Sequence, residues 1–239
     1  MDKKVLSEIP TRTPSIKPIL LQAEPEPLEI DLQRIAVIVI DMQNAFVSKG
    51  GMSDLLGADI VSRQKIIEPV RRINSAARAK GRKIIYTAHR YSADLHDSGG
   101  QNSVNWYKTR ALKSYREHPE WRDKLLIRGT WGADIIPELR PQKEDIIVEK
   151  TNYSAFFRTN LDIILRTYDV KYLIFLGVAT NICVEASIRD ACYLAYFPIL
   201  ISDAVANVGP PFVHEATIFN VIHSYGWATT TEVVTKALY

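Results

Sequence analysis

The apolar positions of the chain fall into short unbroken runs, and most of the stretches between them have helical spacing. The runs are IAVIVID (Ile35–Asp41), KIIYTA (Lys83–Ala88), DIIVEK (Asp145–Lys150), YLIFLGV (Tyr172–Val178) and PILISDA (Pro198–Ala204). Such runs, rich in β-branched residues, fit strands buried on both faces of a parallel sheet, which have no polar side to show. Between most of them, Gln64–Lys80, Leu161–Tyr168, Ile182–Tyr196 and Pro211–Tyr225 read as amphipathic helices, with Gly81 and Gly226 as stops after the first and the last. Alternating strands and helices imply right-handed βαβ units. The expected fold is α/β: a single doubly wound, Rossmann-like domain with a mostly parallel sheet of about six strands, flanked by helices on both faces.

Two stretches break the pattern. Residues 1–30 carry Pro10, Pro14, Pro18, Pro25 and Pro27, which interrupt every possible helix there. They are expected to form a proline-rich arm, packed on the body or on a neighbouring subunit, with residues 31–239 as the domain proper. The stretch 89–144 is long, polar and aromatic, and long loops of this kind usually serve function.

Composition narrows the classes. A chain of 239 residues with 46% hydrophobic and 24% charged residues is neither disordered nor short of core. Its net charge of +3, with no basic stripe, does not suggest nucleic acid. The longest apolar runs are far too short to span a bilayer, and MDKKVLSEIP lacks the apolar segment of a secretory signal. A cytoplasmic protein without a membrane partner is therefore expected. The two cysteines, Cys183 and Cys192, stand nine residues apart in one expected helix, on opposite faces and about 13 Å apart along its axis. They cannot bridge each other, and two do not make a zinc site.

In an open α/β sheet, ligands bind beyond the carboxyl ends of the strands. The polar residues at those ends are Asp41 after the first run, His89 after the second, Lys150 at the end of the third, and Cys183 shortly after the fourth. Each has an ordinary reading: an Asp after a strand forms turns, a Lys at a strand end is a solvated rim charge, and a Cys in an apolar helix is core filler. Cys192, in DACYLAYF, fits that last description. Cys183 follows G-V-A-T-N, so its thiol falls near a helix N-terminus, where the dipole and free N–H groups favour a thiolate and can hold an oxyanion. An acid, a lysine and a cysteine on one rim suit attack on a carbonyl, with the acid moving the proton, if the first, third and fourth strands are neighbours. None of the five histidines (89, 96, 118, 214 and 223) belongs to an HExxH pattern, and the chain has no GxGxxG, P-loop or GxSxG. No metal and no cofactor are expected.

The segments DMQNAF, EKTNYSAFF and GVATNICVEASIRDA, in this order and spacing, resemble the isochorismatase-like cysteine hydrolases over roughly residues 33–235. The long GGQNSVNWYKTRALK loop, GTWGADIIPEL and EKTNYSAFFRTNLDIILR extend the likeness to the ureidoacrylate amidohydrolases of pyrimidine degradation. The resemblance implies Asp41 as general base, Lys150 as its partner and Cys183 as nucleophile. It also implies a cis Val178–Ala179 bond and an oxyanion hole formed by the N–H groups of Ala179 and Cys183. Candidate substrate-binding residues are Asn44, Phe46, His89, Tyr91 and Tyr153. One departure is that those enzymes carry Asn and Trp where this chain has His89 and Tyr91. The implied activity is cysteine-dependent hydrolysis of a C–N bond in a small ureide through a thioester-type intermediate, releasing carbamate and ammonia. The implied assembly is a homo-oligomer. Alternatives are an amidase for biuret, triuret, an N-carbamoyl amino acid or nicotinamide, a non-catalytic binding protein of the same fold, and a thiol-handling protein.

Overall fold

The computed structural model describes residues 18–239; the first seventeen residues of the expected arm lie outside the described residues. Six strands build one sheet: β3 (Ile35–Ile40), β4 (Lys83–His89), β5 (Ile146–Lys150), β6 (Tyr172–Val178), β7 (Phe197–Ala206) and β8 (Trp227–Thr229). Their order is β5-β4-β3-β6-β7-β8 and every pairing is parallel. The chain winds outward from β3 to β5 on one side, then returns to β6 and winds outward on the other. The switch point therefore lies between β3 and β6, the place where such sheets open a crevice for ligands.

Burial explains why the central runs have no polar alternation. All six residues of β3 and all seven of β6 are buried, because both faces are covered. One face packs Val37, Val39, Ile174 and Leu176 under the helices Ile67–Ala79 and Thr231–Leu238. The other packs Ala36, Ile38, Ile40, Leu173 and Phe175 under the helices Leu161–Thr167 and Glu185–Tyr193. A third, smaller core of Ala45, Met52, Leu112 and Leu125–Ile127 lies within the 89–144 excursion and the segment after β3. That excursion is therefore an irregular but packed layer set over the sheet's carboxyl edge.

The structure adds detail to the sequence reading. The short strand β8 closes the sheet after the last glycine stop. Residues 18–30, part of the expected proline-rich arm, form an antiparallel pair of short strands, β1 (Ile19–Leu21) and β2 (Leu28–Ile30). The arm packs on its own chain: Glu24 exchanges backbone hydrogen bonds with Ala228 of β8 at 2.8 and 3.0 Å. The expected helix Ile182–Tyr196 is a π turn, Thr180–Val184, followed by an α-helix over Glu185–Tyr193, so the two cysteines do not share one regular helix. Both cysteines are free. Among the described residues, no helix is long and apolar enough to cross a membrane.

Candidate active site

Asp41 follows the last residue of β3 with a positive φ of 50°, a conformation that turns its carboxylate back over the sheet. The carboxylate is fully buried and fully engaged. Oδ1 accepts from Thr87 Oγ1 at 2.7 Å and Oδ2 accepts from Lys150 Nζ at 2.6 Å. The Thr87 hydroxyl also accepts from the Asp41 N–H at 3.2 Å, so it links this acid's own main chain to its side chain. Lys150 is 2% exposed, and its ammonium makes a further bond to Asn152 O at 3.0 Å.

The strands that carry these two charges are not neighbours. β4 stands between β3 and β5, with Thr87 beside Ile40 and His89 beside Lys150 in register. Lys150 closes the gap because its four-carbon stem reaches past β4, with the whole side chain shielded from solvent. Burial pulls the Lys150 ammonium down, but the Asp41 charge and the neighbouring thiol outweigh it and hold the group above its ordinary value. The pair is therefore a buried ion pair with its remaining donors and acceptors met, the condition under which such pairs are tolerated.

Cys183 arrives from the other side of the switch point. Gly177, the penultimate residue of β6, has φ +111°, and a Cβ there would lie 2.1 Å from Ile40 O. Only glycine allows β6 to approach β3 this closely just before the chain turns. The Val178–Ala179 bond is cis. Ala179 O then accepts from Ile182 N at 3.0 Å and from Val184 N at 3.2 Å, while the intervening Cys183 N–H does not take that acceptor. The Ala179 N–H also has no acceptor among the described residues. Ser187 anchors the turn by donating to Cys183 O at 2.6 Å and accepting from Ala155 N at 2.9 Å.

An Asp41 carboxylate oxygen, a His89 ring nitrogen and Cys183 Sγ lie within 4.8 Å of one another. Such a donor set suits a soft divalent cation, but the Lys150 ammonium on the same carboxylate opposes one. The thiol differs from expectation. Burial pushes Cys183 up to about 12; the Lys150 ammonium pulls against that rise and the Asp41 charge adds to it. The single π turn before Glu185 does not offset desolvation, so the resting group is a thiol rather than a thiolate. His89 is held well below its ordinary value, first by burial and then by Lys150, and is neutral at pH 7.

Cys183 and His89 open on a cavity of about 140 Å³, room for one compact small ligand. Phe46, His89, Tyr153, Ala179 and Cys183 line it. Asn44 and Tyr91 do not. Asn44 is spent on the loop, donating to Trp131 O at 2.9 Å and accepting from Ser48 Oγ at 2.8 Å. Tyr91 stands behind His89, its hydroxyl 2.9 Å from His89 Nε2 and donating to Thr151 O at 3.2 Å. Both side chains are consumed by local bonds, which residue type alone does not show. Gln43, absent from the sequence candidates, holds His89 on both backbone groups: Nε2 donates to His89 O at 3.0 Å and Oε1 accepts from His89 N at 2.8 Å. Its place inside DMQNAF was the available signal. Arg63, Lys108 and Arg110, also unanticipated, complete the wall.

Residues 35–233 match the isochorismatase domain. This chain belongs to the isochorismatase family. Within that family it is 44% identical over 210 residues to a ureidoacrylate amidohydrolase RutB of Agrobacterium fabrum, covering 88% of this chain and 92% of that protein. It is also 44% identical over 211 residues to the ureidoacrylate amidohydrolase RutB of Serratia proteamaculans, covering 88% and 85%. A solved cysteine hydrolase from Pseudomonas syringae pv. phaseolicola superposes with a TM-score of 0.71 at 29% identity, covering 92% of this chain and 99% of that one. N-carbamoylsarcosine amidase from Thermoplasma acidophilum shares the fold, with a TM-score of 0.63 at 23% identity over 83% and 97% of the two chains.

Proposed function

We propose that the protein is an amidohydrolase that cleaves a C–N bond of a small ureide of the ureidoacrylate type through covalent catalysis by Cys183. The observation that carries this is the fully buried Lys150–Asp41 pair at 2.6 Å, its carboxylate within 4.8 Å of Cys183 Sγ, with Cys183 in turn lining the cavity. The names of the relatives supply the substrate type.

In this reading the ureido carbonyl sits over Cys183. Because the thiol holds its proton, Asp41 takes that proton as Sγ forms its bond to the carbonyl carbon. The carbonyl oxygen gathers the displaced electron pair and is met by the N–H groups of Ala179, which has no acceptor among the described residues, and of Cys183, which the π turn leaves off Ala179 O. Collapse breaks the C–N bond, and Asp41 returns the proton to the departing amine. A water, deprotonated by Asp41, then attacks the S-carbamoyl group. The C–S bond breaks, Cys183 recovers its proton, and carbamate leaves to decay to ammonia and carbon dioxide. Lys150 keeps the buried charge of Asp41 compensated while the proton moves. His89, Phe46 and Tyr153 shape the substrate side. Gln43 and Tyr91 hold the His89 ring in place, and Asn44 holds the loop behind it.

Ammonia release by the purified protein over ureidoacrylate, biuret, triuret, N-carbamoyl amino acids and nicotinamide tests the reading. Turnover of ureidoacrylate is expected, with Cys183→Ala slower by roughly a thousandfold or more and its thermal transition unchanged. A Cys183→Ala protein that keeps most of its activity overturns the covalent mechanism. Cytoplasmic residence and self-association belong to the same reading. The exposed side chains of Ile163, Tyr193 and Phe219 offer apolar surface for contact between copies, checked by light scattering on the eluted protein.

A further inference from the structure

The cavity wall carries three basic side chains, Arg63, Lys108 and Arg110, and no Asp or Glu among the described residues. Arg63 is the unusual one. It is 2% exposed, in the short helix Ile60–Lys65. Its Nη1 donates to Phe46 O at 2.9 Å and to Ser53 Oγ at 2.7 Å, which fixes the plane of the guanidinium. Its Nε is buried without a partner, and Nη2 has no hydrogen bond among the described residues.

A buried guanidinium is normally matched by a carboxylate. Here the neighbouring charge is another guanidinium. Burial first, and then Arg110, pull Arg63 below its ordinary value, and Asp59 works weakly against them. Asp59 is engaged elsewhere, its Oδ1 accepting from Val61 N and Ser62 N as a helix cap. It lies with Glu215 in the adjoining outer recess, whose inner wall is formed by the same two arginines. The two ends of the cavity thus differ in charge balance. At the floor, Lys150 and Asp41 cancel. At the wall, Arg63 keeps open donors beside the charge of Arg110, and Asp59 offsets that charge only weakly.

We infer that Arg63 and Arg110 form the subsite that binds the carboxylate of the ureide attacked at Cys183. The inference rests on the ureide reading above and sharpens it. A planar guanidinium presents parallel N–H donors that match a carboxylate's two oxygens. An acid placed there neutralises the wall and sets the distance from the wall to Cys183, so it selects by charge and by length. Biuret, triuret and nicotinamide have no such group and are expected to bind poorly.

The test compares ureidoacrylate with its neutral methyl ester, following loss of the ureide, in the wild type, Arg110→Gln and Arg63→Gln. Arg110 is exposed, so its replacement leaves the fold intact and decides the matter even if Arg63→Gln does not fold. The wild type is expected to favour the acid. The acid-to-ester ratio of kcat/KM should fall roughly tenfold or more in Arg110→Gln, and further in Arg63→Gln, mostly through KM. Equal use of acid and ester by the wild type, or a ratio unmoved by Arg110→Gln, overturns the inference. If neither compound is hydrolysed, the ureide reading fails, and alkylation still judges the subsite. The ratio of iodoacetate to iodoacetamide rates at Cys183, normalised to glutathione, should drop in Arg110→Gln. An unchanged ratio removes the subsite as well.

Discussion

The floor and the wall of the cavity are built from the same charged residue types to opposite ends. At the floor, Lys150 and Asp41 come from strands two places apart and spend their charges on each other. At the wall, Arg63 and Arg110 come from a short helix and the 89–144 layer and leave their charges open. A buried charge with its partner inside the chain is a preset part of the reaction. A buried charge without one is stabilised only when something binds.

That contrast is broken most directly by removing one charge at each end. Lys150→Met leaves Asp41 buried and alone, so it should cost roughly 3–5 kcal/mol in a denaturant titration and remove activity together with stability. Arg63→Met removes a charge that had no partner and should cost much less in the same titration, even though it is as deeply buried. Equal losses would mean that Arg63 has a partner in the fold after all. Gly177→Ala comes next. A methyl group 2.1 Å from Ile40 O, at φ +111°, must push β6 from β3 and should lower stability by about 3 kcal/mol or more, with the Cys183 turn displaced from Asp41.

One part of the pH dependence of stability reports on His89. His89 titrates well below 6.5 when folded and near that value when unfolded. Its contribution is therefore complete above 6.5 and lost as pH falls below it, since the unfolded chain takes up the proton first. His89→Gln should flatten the decline of the melting temperature on the acid side. An unchanged slope would mean that the ring is not buried in solution. Alkylation of Cys183 should keep rising with pH without a plateau below about pH 9, because the thiol titrates near 12. The smallest effect is expected at Cys192, half-buried on the helix behind the site. Cys192→Ala should alter turnover less than about twofold.

The strand runs and the glycine stops made the sheet readable, because continuous apolar runs ending in a polar residue survive in any context. Asp41, Lys150 and Cys183 were legible for the same reason: each stands at or just past the end of a run. The strand order was not legible. Nothing local says that β4 lies between the acid and the lysine. The protonation of Cys183 was misjudged because a helix N-terminus can be read from sequence and the burial around it cannot. Arg63 was missed because a short amphipathic segment shows the same pattern whether its arginine faces solvent or folds back onto Phe46 and Ser53. Tyr91 and Asn44 were placed in the right neighbourhood but not on the right side of the wall.

The pairing of Glu24 with Ala228 has a consequence outside catalysis. The end strand of a sheet offers its unpaired N–H and C=O groups to any extended chain, and that is how soluble proteins join into fibres. At β8, only three residues long, the chain's own arm occupies the offer. At the opposite end, β5 carries Glu149, pinned by Arg90 and Arg128 at 2.8 Å each, so an incoming strand would have to displace two ion pairs. One border of the sheet is guarded by backbone and the other by charge. The described part of the proline-rich segment thus covers a sheet edge that would otherwise be open to another extended chain.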